Sequence, residues 1–168
     1  KGLGELLRFI NDVKNKTFRL IVIAELNKSN HYHRQLMNYI VTNHLENNIL
    51  ITGYLPAQEV SKILSVLDTC VFPYKEGATL RRGSLLAALN HDVPVITKRG
   101  PRNKIFQNKD NILLYNNESE LKKCIYQLYL DKKLRNKIKT GTKQISEKFS
   151  WPEITNKNYR YYQKIMFK

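Results

Sequence analysis

Arg81 and Arg82 stand side by side, followed by Gly83, Ser84 and Leu85. Two guanidinium groups beside a glycine and a hydroxyl suit an oxyanion, because each guanidinium is a planar fork of donors that matches phosphate oxygens in pairs. The surrounding string, Phe72 to Thr97, reads FPYKEGATLRRGSLLAALNHDVPVIT. An apolar run at 69–72 breaks at Pro73. A polar loop at 74–81 carries Glu76-Gly77. A helical segment at 82–90 leads into a second apolar run at 93–96. That order predicts strand, loop, helix, strand, with the arginine pair at the helix entrance. A helix's first turn has amides without intrahelical partners and lies at the positive end of the dipole. The amides of Gly83, Ser84 and Leu85 would therefore join the arginines on one phosphate, Gly83 permitting close approach. Adjacent helical residues point about 100° apart, so one arginine is expected to face the ligand. Simpler roles stay open: solvated loop arginines, and Ser84 as the helix cap.

The rest of the chain alternates in the same way. Leu3, Leu6, Leu7, Ile10 and Val13 recur at helical spacing. Residues 18–24 form an apolar run broken only by Arg19, as a buried parallel strand would. A helix is expected at 30–45, a strand at 49–52 stopped by Gly53, and a helix after Pro56 with Val60, Ile63, Leu64 and Leu67 on one face. A strand at 71–72, a helix at 84–89 and a strand at 93–96 follow. A strand at 112–115 and helices at 118–130, 132–149 and 151–167 complete the chain. Strands alternating with helices at this spacing indicate a parallel sheet covered on both faces. The expected fold class is α/β: a single Rossmann-like domain over 1–168, its parallel sheet flanked by helices, with extra C-terminal helices.

Bulk properties bound the function. The 168 residues suffice for a real core, with 42% hydrophobic and 26% charged residues. No run of about 18 apolar residues occurs, so no transmembrane helix is expected. Cys70 and Cys124 lack metal or redox spacing and read as buried small hydrophobes, in keeping with a reducing cytoplasm. His31, His33, His44 and His91 do not form a metal set. The chain opens at Lys1-Gly2-Leu3 within a helix start, so a fragment of a longer protein is expected. A net charge of +15 invites polyanions such as nucleic acid, anionic lipid or phosphorylated substrates, although a Lys-, Asn-, Ile- and Tyr-rich composition can carry such charge without a partner. The cations of the 98–104 loop could meet phosphates or an anionic membrane, or simply be solvated. Nucleic-acid recognition would call for a known module or aromatic platforms. Tyr159, Tyr161 and Tyr162 are expected instead to pack the last helix.

Taken in order, these segments resemble the C-terminal domain of family 4 glycosyltransferases, which have two Rossmann-like domains facing across a cleft, the GT-B architecture. Lys1-Gly2 looks like the lysine-glycine that opens that domain. Ile51-Thr52-Gly53-Tyr54-Leu55 resembles its strand and glycine turn near the donor base, and 69–73 the strand into the active-site loop. Val93-Pro94-Val95-Ile96 is similar to its Gly-x-Pro-Val-Ile run, with Asp92 where the family has glycine. Lys109 to Leu114 resembles its Asp-Gly-x-Asn-Gly-x-Leu strand, and Phe149-Ser150-Trp151 with Ile154 the start of its closing helix.

The resemblance implies the donor-binding half of a retaining glycosyltransferase of hexosyltransferase type. It would use a nucleotide-activated sugar, UDP-linked, and transfer to a glycan or lipid-linked acceptor in envelope polysaccharide synthesis. Glu76, the implied catalytic residue, would contact the donor sugar with Gly77 and Ala78. Lys1, Arg81, Arg82, Gly83, Ser84 and Leu85 would hold the donor diphosphate, and Tyr54 the nucleobase. The family's second motif glutamate, eight positions after the first, is replaced by Ser84, or by Ala87 if Pro94 sets the alignment. Neither cofactor nor metal is implied. The implied partners are the donor, the N-terminal domain of the same chain and a candidate anionic membrane surface, with no nucleic acid. The location would be cytoplasmic, at the membrane's inner face if peripheral. The isolated domain would be inactive. A non-catalytic nucleotide-sugar-binding module and a basic nucleic-acid-binding α/β domain are the alternatives.

Overall fold

The computed structural model describes residues 2–13, 17–100 and 104–166. They form two compact units, Lys1–Val66 with Pro73–Lys75, and Leu67–Phe72 with Glu76–Lys168.

The first unit runs α1 (Leu3–Val13), β1 (Leu20–Val22), α2 (His31–Thr42), β2 (Ile49–Ile51) and α3 (Ala57–Val66). The helical repeat at the start does what its spacing predicts, since Leu6, Leu7, Phe9 and Ile10 of α1 are buried. Leu36 and Ile40 of α2 are buried too, and α1 packs on α2. β1 and β2 pair in parallel, Leu20 opposite Ile49. Asn30 caps α2, its side-chain oxygen accepting from the His33 amide at 3.2 Å. His33 Nδ1 in turn accepts from the Asn27 amide at 3.0 Å, so this histidine holds a loop. Gly2, at φ 98°, lies so close to Pro73 that a Cβ there would come within 2.3 Å of the Pro73 carbonyl oxygen.

The second unit runs β3 (Cys70–Phe72), α4 (Gly83–Asn90), β4 (Val95–Lys98), β5 (Leu113–Tyr115), α5 (Glu118–Leu130), α6 (Lys132–Glu147) and α7 (Trp151–Met166). Its sheet is parallel in the order β3-β4-β5, with Cys70 opposite Val95 and Ile96 opposite Leu113. Val95, Ile96, Leu113 and Tyr115 are wholly buried, together with Leu85 and Leu89 of α4, Leu121 of α5 and Ile138 of α6. A strand buried on both faces reads as a continuous apolar run, which is how these runs appear in the sequence. Buried Thr97 is satisfied by donating to the Phe72 carbonyl at 2.8 Å.

The parallel α/β architecture is as the alternation predicts, but among the described residues hydrogen bonding divides the strands into sheets of two and three. The strand expected at 93–96 is displaced to Val95–Lys98. The Val93 amide closes the end of α4 on the Ala88 carbonyl at 3.1 Å, so it is not available to a ladder. Pro94 has no amide, and its carbonyl accepts from the Cys70 amide at 2.9 Å. At the other end Lys98 extends the strand because it pairs with Tyr115. Asp92, where the family resemblance would have glycine, takes φ 55°.

The last helix departs from expectation. None of its residues is buried, and Tyr159, Tyr161 and Tyr162 are exposed rather than packed. Successive 100° steps put Trp151, Ile154, Tyr161, Tyr162, Ile165 and Met166 on one side, with Lys157, Arg160 and Lys164 opposite.

Candidate functional site

β3 and β4 are parallel neighbours, so the chain segments leaving them emerge at the same, carboxyl end of the sheet. The loop after β3 contains Glu76, Gly77 and Ala78; the segment after β4 contains Arg99 and Gly100. These two segments lock together through their backbones. The Ala78 amide donates to the Lys98 carbonyl at 3.1 Å. Gly77 sits at φ 76°, where a Cβ would fall 2.2 Å from Gly100 Cα and 2.4 Å from its nitrogen. A Cβ on Gly100 would lie 3.0 Å from the Ala78 nitrogen and 3.0 Å from the Glu76 carbonyl oxygen. Gly77 and Ala78 are consequently buried although they belong to a loop, while the Glu76 side chain is exposed.

The loop then turns into α4. The Arg82 amide donates to the Thr79 carbonyl at 3.3 Å, and the Arg82 carbonyl accepts from the Leu86 amide at 3.1 Å, the first rung of the helix. Arg82 is the N-cap residue and caps with no side-chain hydrogen bond. This corrects the capping role open to Ser84, which stands one residue inside the helix, exposed. The Arg82 guanidinium donates from Nη2 to Glu76 Oε2. One carboxylate, one guanidinium and the first turn of α4 thus share a single corner. Arg81 is exposed on the loop, and Gly83 is open, with nothing within 4 Å of a Cβ placed there.

Of the residues singled out in the sequence, the structure brings Glu76, Gly77, Ala78, Arg82, Gly83, Ser84 and Leu85 into this one corner, with Leu85 wholly buried as its anchor in the core. Tyr54 belongs to the first unit, after Gly53 at φ 73°, and is 84% exposed. Lys1, and Arg102 of the 98–104 loop, lie outside the described residues. Lys98 places its Nζ 5.8 Å from the Tyr115 ring centroid. Among the described residues no group of three or more His, Cys, Asp and Glu could hold a metal ion, and no helix is long and apolar enough to cross a membrane. Gly100 carries no chemical signal in the sequence, where its segment stands out only as a run of cations. The available signal was one glycine in each of two segments leaving neighbouring strands.

No protein-family model matches the chain, and no curated protein sequence does. Solved structures do match. The C-terminal domain of a glycosyl transferase group 1 family protein, LpcC of Francisella tularensis, superposes with a TM-score of 0.75 at 22% identity, over 90% of this chain and 80% of that domain. A glycosyltransferase from Rickettsia africae gives 0.81 at 18%, over 99% of this chain and 45% of its own length. The chain has the fold of a GT-B C-terminal domain. HepE of Anabaena, solved in complex with UDP-glucose, shares that GT-B fold with a TM-score of 0.79 at 16% identity, over all of this chain and 46% of HepE. The GT-B likeness therefore covers essentially the whole chain, which spans less than half the length of the Rickettsia and Anabaena proteins. The Rossmann-like expectation drawn from the alternating pattern is met by these neighbours.

Proposed function

We propose that this chain is the donor-binding domain of a retaining family 4 glycosyltransferase that takes a UDP-sugar. The observation that carries the reading is the corner where exposed Glu76, Arg82 and the amino end of α4 meet, at the carboxyl edge of a parallel sheet. The neighbours solved with UDP and with UDP-glucose support the choice of donor. The diphosphate lies over the amides of Gly83, Ser84 and Leu85, with Arg82 and Arg81 beside it. As the glycosidic bond breaks, negative charge grows on the leaving nucleoside diphosphate. Cations and helix amides there stabilise the transition state more than the ground state. Glu76 accepts from sugar hydroxyls and faces the oxocarbenium-like centre, with Gly77 and Ala78 shaping its loop. The acceptor, a glycan or lipid-linked envelope precursor, and the residues that bind it belong to an N-terminal domain, so the 168 residues alone bind donor without turning it over. Basic charge fits a cytoplasmic protein working beside an anionic membrane.

Glu76 pairs with Arg82 as an anionic ligand would. Titration calorimetry with UDP therefore separates two roles. Arg82→Ala weakens UDP about tenfold, the scale of a lost charge-assisted contact. Glu76→Gln strengthens UDP about two- to fivefold, because an exposed ion pair of modest worth no longer competes. GDP and ADP serve as comparison ligands. Absence of binding by all three at millimolar concentration removes the proposal. The missing carboxylate at both Ser84 and Ala87 favours a second reading, a donor-binding module without catalysis. Sugar release from UDP-glucose by the full-length protein decides between the two.

A further inference from the structure

We infer that Gly100 is a positioning residue that sets the Glu76 loop and thereby the discrimination between a sugar-bearing donor and a bare nucleotide. The inference rests on the donor-binding reading above and concerns a residue outside the motif that binds the ligand.

The loop after β3 has few internal means of holding a shape. It is polar, and Gly77 has the widest backbone freedom of any residue type. Its conformation is imposed from the segment after β4. Gly77 at φ 76° is pressed against Gly100, with Gly100 Cα 2.2 Å and Arg99 C 2.6 Å from the point where a Cβ would stand. From the other side, a Cβ on Gly100 would sit 3.0 Å from the Glu76 carbonyl oxygen, 3.0 Å from the Ala78 nitrogen and 3.1 Å from the Ala78 oxygen. These neighbours are backbone atoms and have no rotamer to change. Any side chain at 100 therefore moves the Glu76–Ala78 backbone away by a few tenths of an ångström or more. The Ala78 amide, which donates to the Lys98 carbonyl at 3.1 Å, registers the loop along the end of β4. β4 is itself fixed in the buried centre of the sheet. The order of control is core strand β4, Gly100, Gly77, Glu76.

Glu76 is carried by this lock, whereas Gly83, Ser84 and Leu85 are carried by α4. Disturbing Gly100 therefore displaces the sugar-facing carboxylate and leaves the diphosphate-facing amides in place. Displacements of this size at a positioned group have large consequences for binding and rate.

The test compares UDP with UDP-glucose by titration calorimetry for the wild type, Gly100→Ala and Gly100→Val. Amide hydrogen exchange at Ala78 is followed in the free proteins. The wild type is expected to protect the Ala78 amide. Gly100→Ala and Gly100→Val should lose that protection and lower UDP-glucose affinity about tenfold, while UDP is held or strengthened by up to about fivefold as the displaced Glu76 releases Arg82. Equal losses for UDP and UDP-glucose would overturn the inference, as would an unprotected Ala78 amide in the wild type, which needs no variant to fold. Failure of the wild type to bind either nucleotide would instead strike the donor-binding reading, and the exchange result would still judge the lock.

Discussion

Cys70, buried in β3, couples the stability of its unit to high pH. Burial pushes its thiol from 9.0 up to about 12. Between those values the unfolded chain has released a proton that the native state keeps, so rising pH favours unfolding. The contribution is complete below pH 9 and declines as pH climbs towards 12. At about 1.4 kcal/mol per unit, the loss approaches the order of 4 kcal/mol. Urea unfolding at pH 8 to 11 should show a steeper decline for the wild type than for Cys70→Ala, which removes the titrating group; parallel declines would refute this. At pH 8 the native thiol should resist alkylation until the chain unfolds. Cys124 is shifted the same way, chiefly by burial and by Glu120, with Lys109 opposing. Both cysteines were legible as buried from their apolar neighbours. Glu76 and Arg82 could be singled out because a carboxylate and a guanidinium are visible in a sequence as reactive side chains, and the structure pairs them. Gly100 was not: its role is a backbone approach across 23 positions to Gly77, and a residue without a side chain leaves no periodic or chemical trace.

At the scale of elements, backbone geometry gives substitutions at Gly141 and Asp92 opposite signs. Gly141 lies in α6, where a Cβ would meet Asn111 Cα and the Asp110 carbonyl oxygen, each at 2.5 Å. The helix rests directly on this turn, and buried Thr142 adds a bond from its hydroxyl to the Asn111 carbonyl at 3.3 Å. Asn111 knits the turn from within, accepting from the Gln107 amide at 2.9 Å and donating to the Ile105 carbonyl at 2.8 Å. Alanine normally improves a helix interior by about 1 kcal/mol over glycine. Here Gly141→Ala should instead destabilise by about 1–3 kcal/mol through overpacking against backbone. Asp92 offers the opposite sign. At φ 55° it occupies the left-handed region just after α4, so Asp92→Gly should stabilise by about 0.5–1 kcal/mol. Thermal unfolding of the two variants beside the wild type checks both signs. The sequence located these elements well because apolar period and caps are local signals. It misplaced the start of β4 because the Val93 amide is claimed by the end of α4, a choice made between two adjoining elements. The division of the strands into two sheets was equally hidden, since pairing partners leave no local mark.

For the molecule as a whole, the hydrophobic account of the second unit closes without α7. Its core is supplied by β3, β4, β5, α4, α5 and α6, and α7 contributes no buried residue. The helix is tied to what precedes it by exposed contacts, the Ile154 amide to the Ser150 carbonyl at 3.0 Å and Lys157 Nζ to the Lys148 carbonyl at 3.4 Å. Exposed polar contacts of this kind are worth little net free energy. What α7 does supply is a bare aromatic side, with Trp151 81% and Met166 76% exposed. Contiguous apolar patches on a free chain promote association, whereas a net charge of +15 opposes it at low salt. Adding salt screens the charges within a Debye length of about 10 Å at 0.1 M and leaves the apolar attraction in place. The 168-residue chain should therefore sediment as larger species as salt and concentration rise. A chain ending at Ser150 should stay monomeric under the same conditions. Its stability should match the parent within about 0.5 kcal/mol, as for surface changes generally. A clearly lowered melting midpoint in the shortened chain would mean that α7 stabilises the core after all, and unchanged association would mean that the aromatic side is not what brings the copies together.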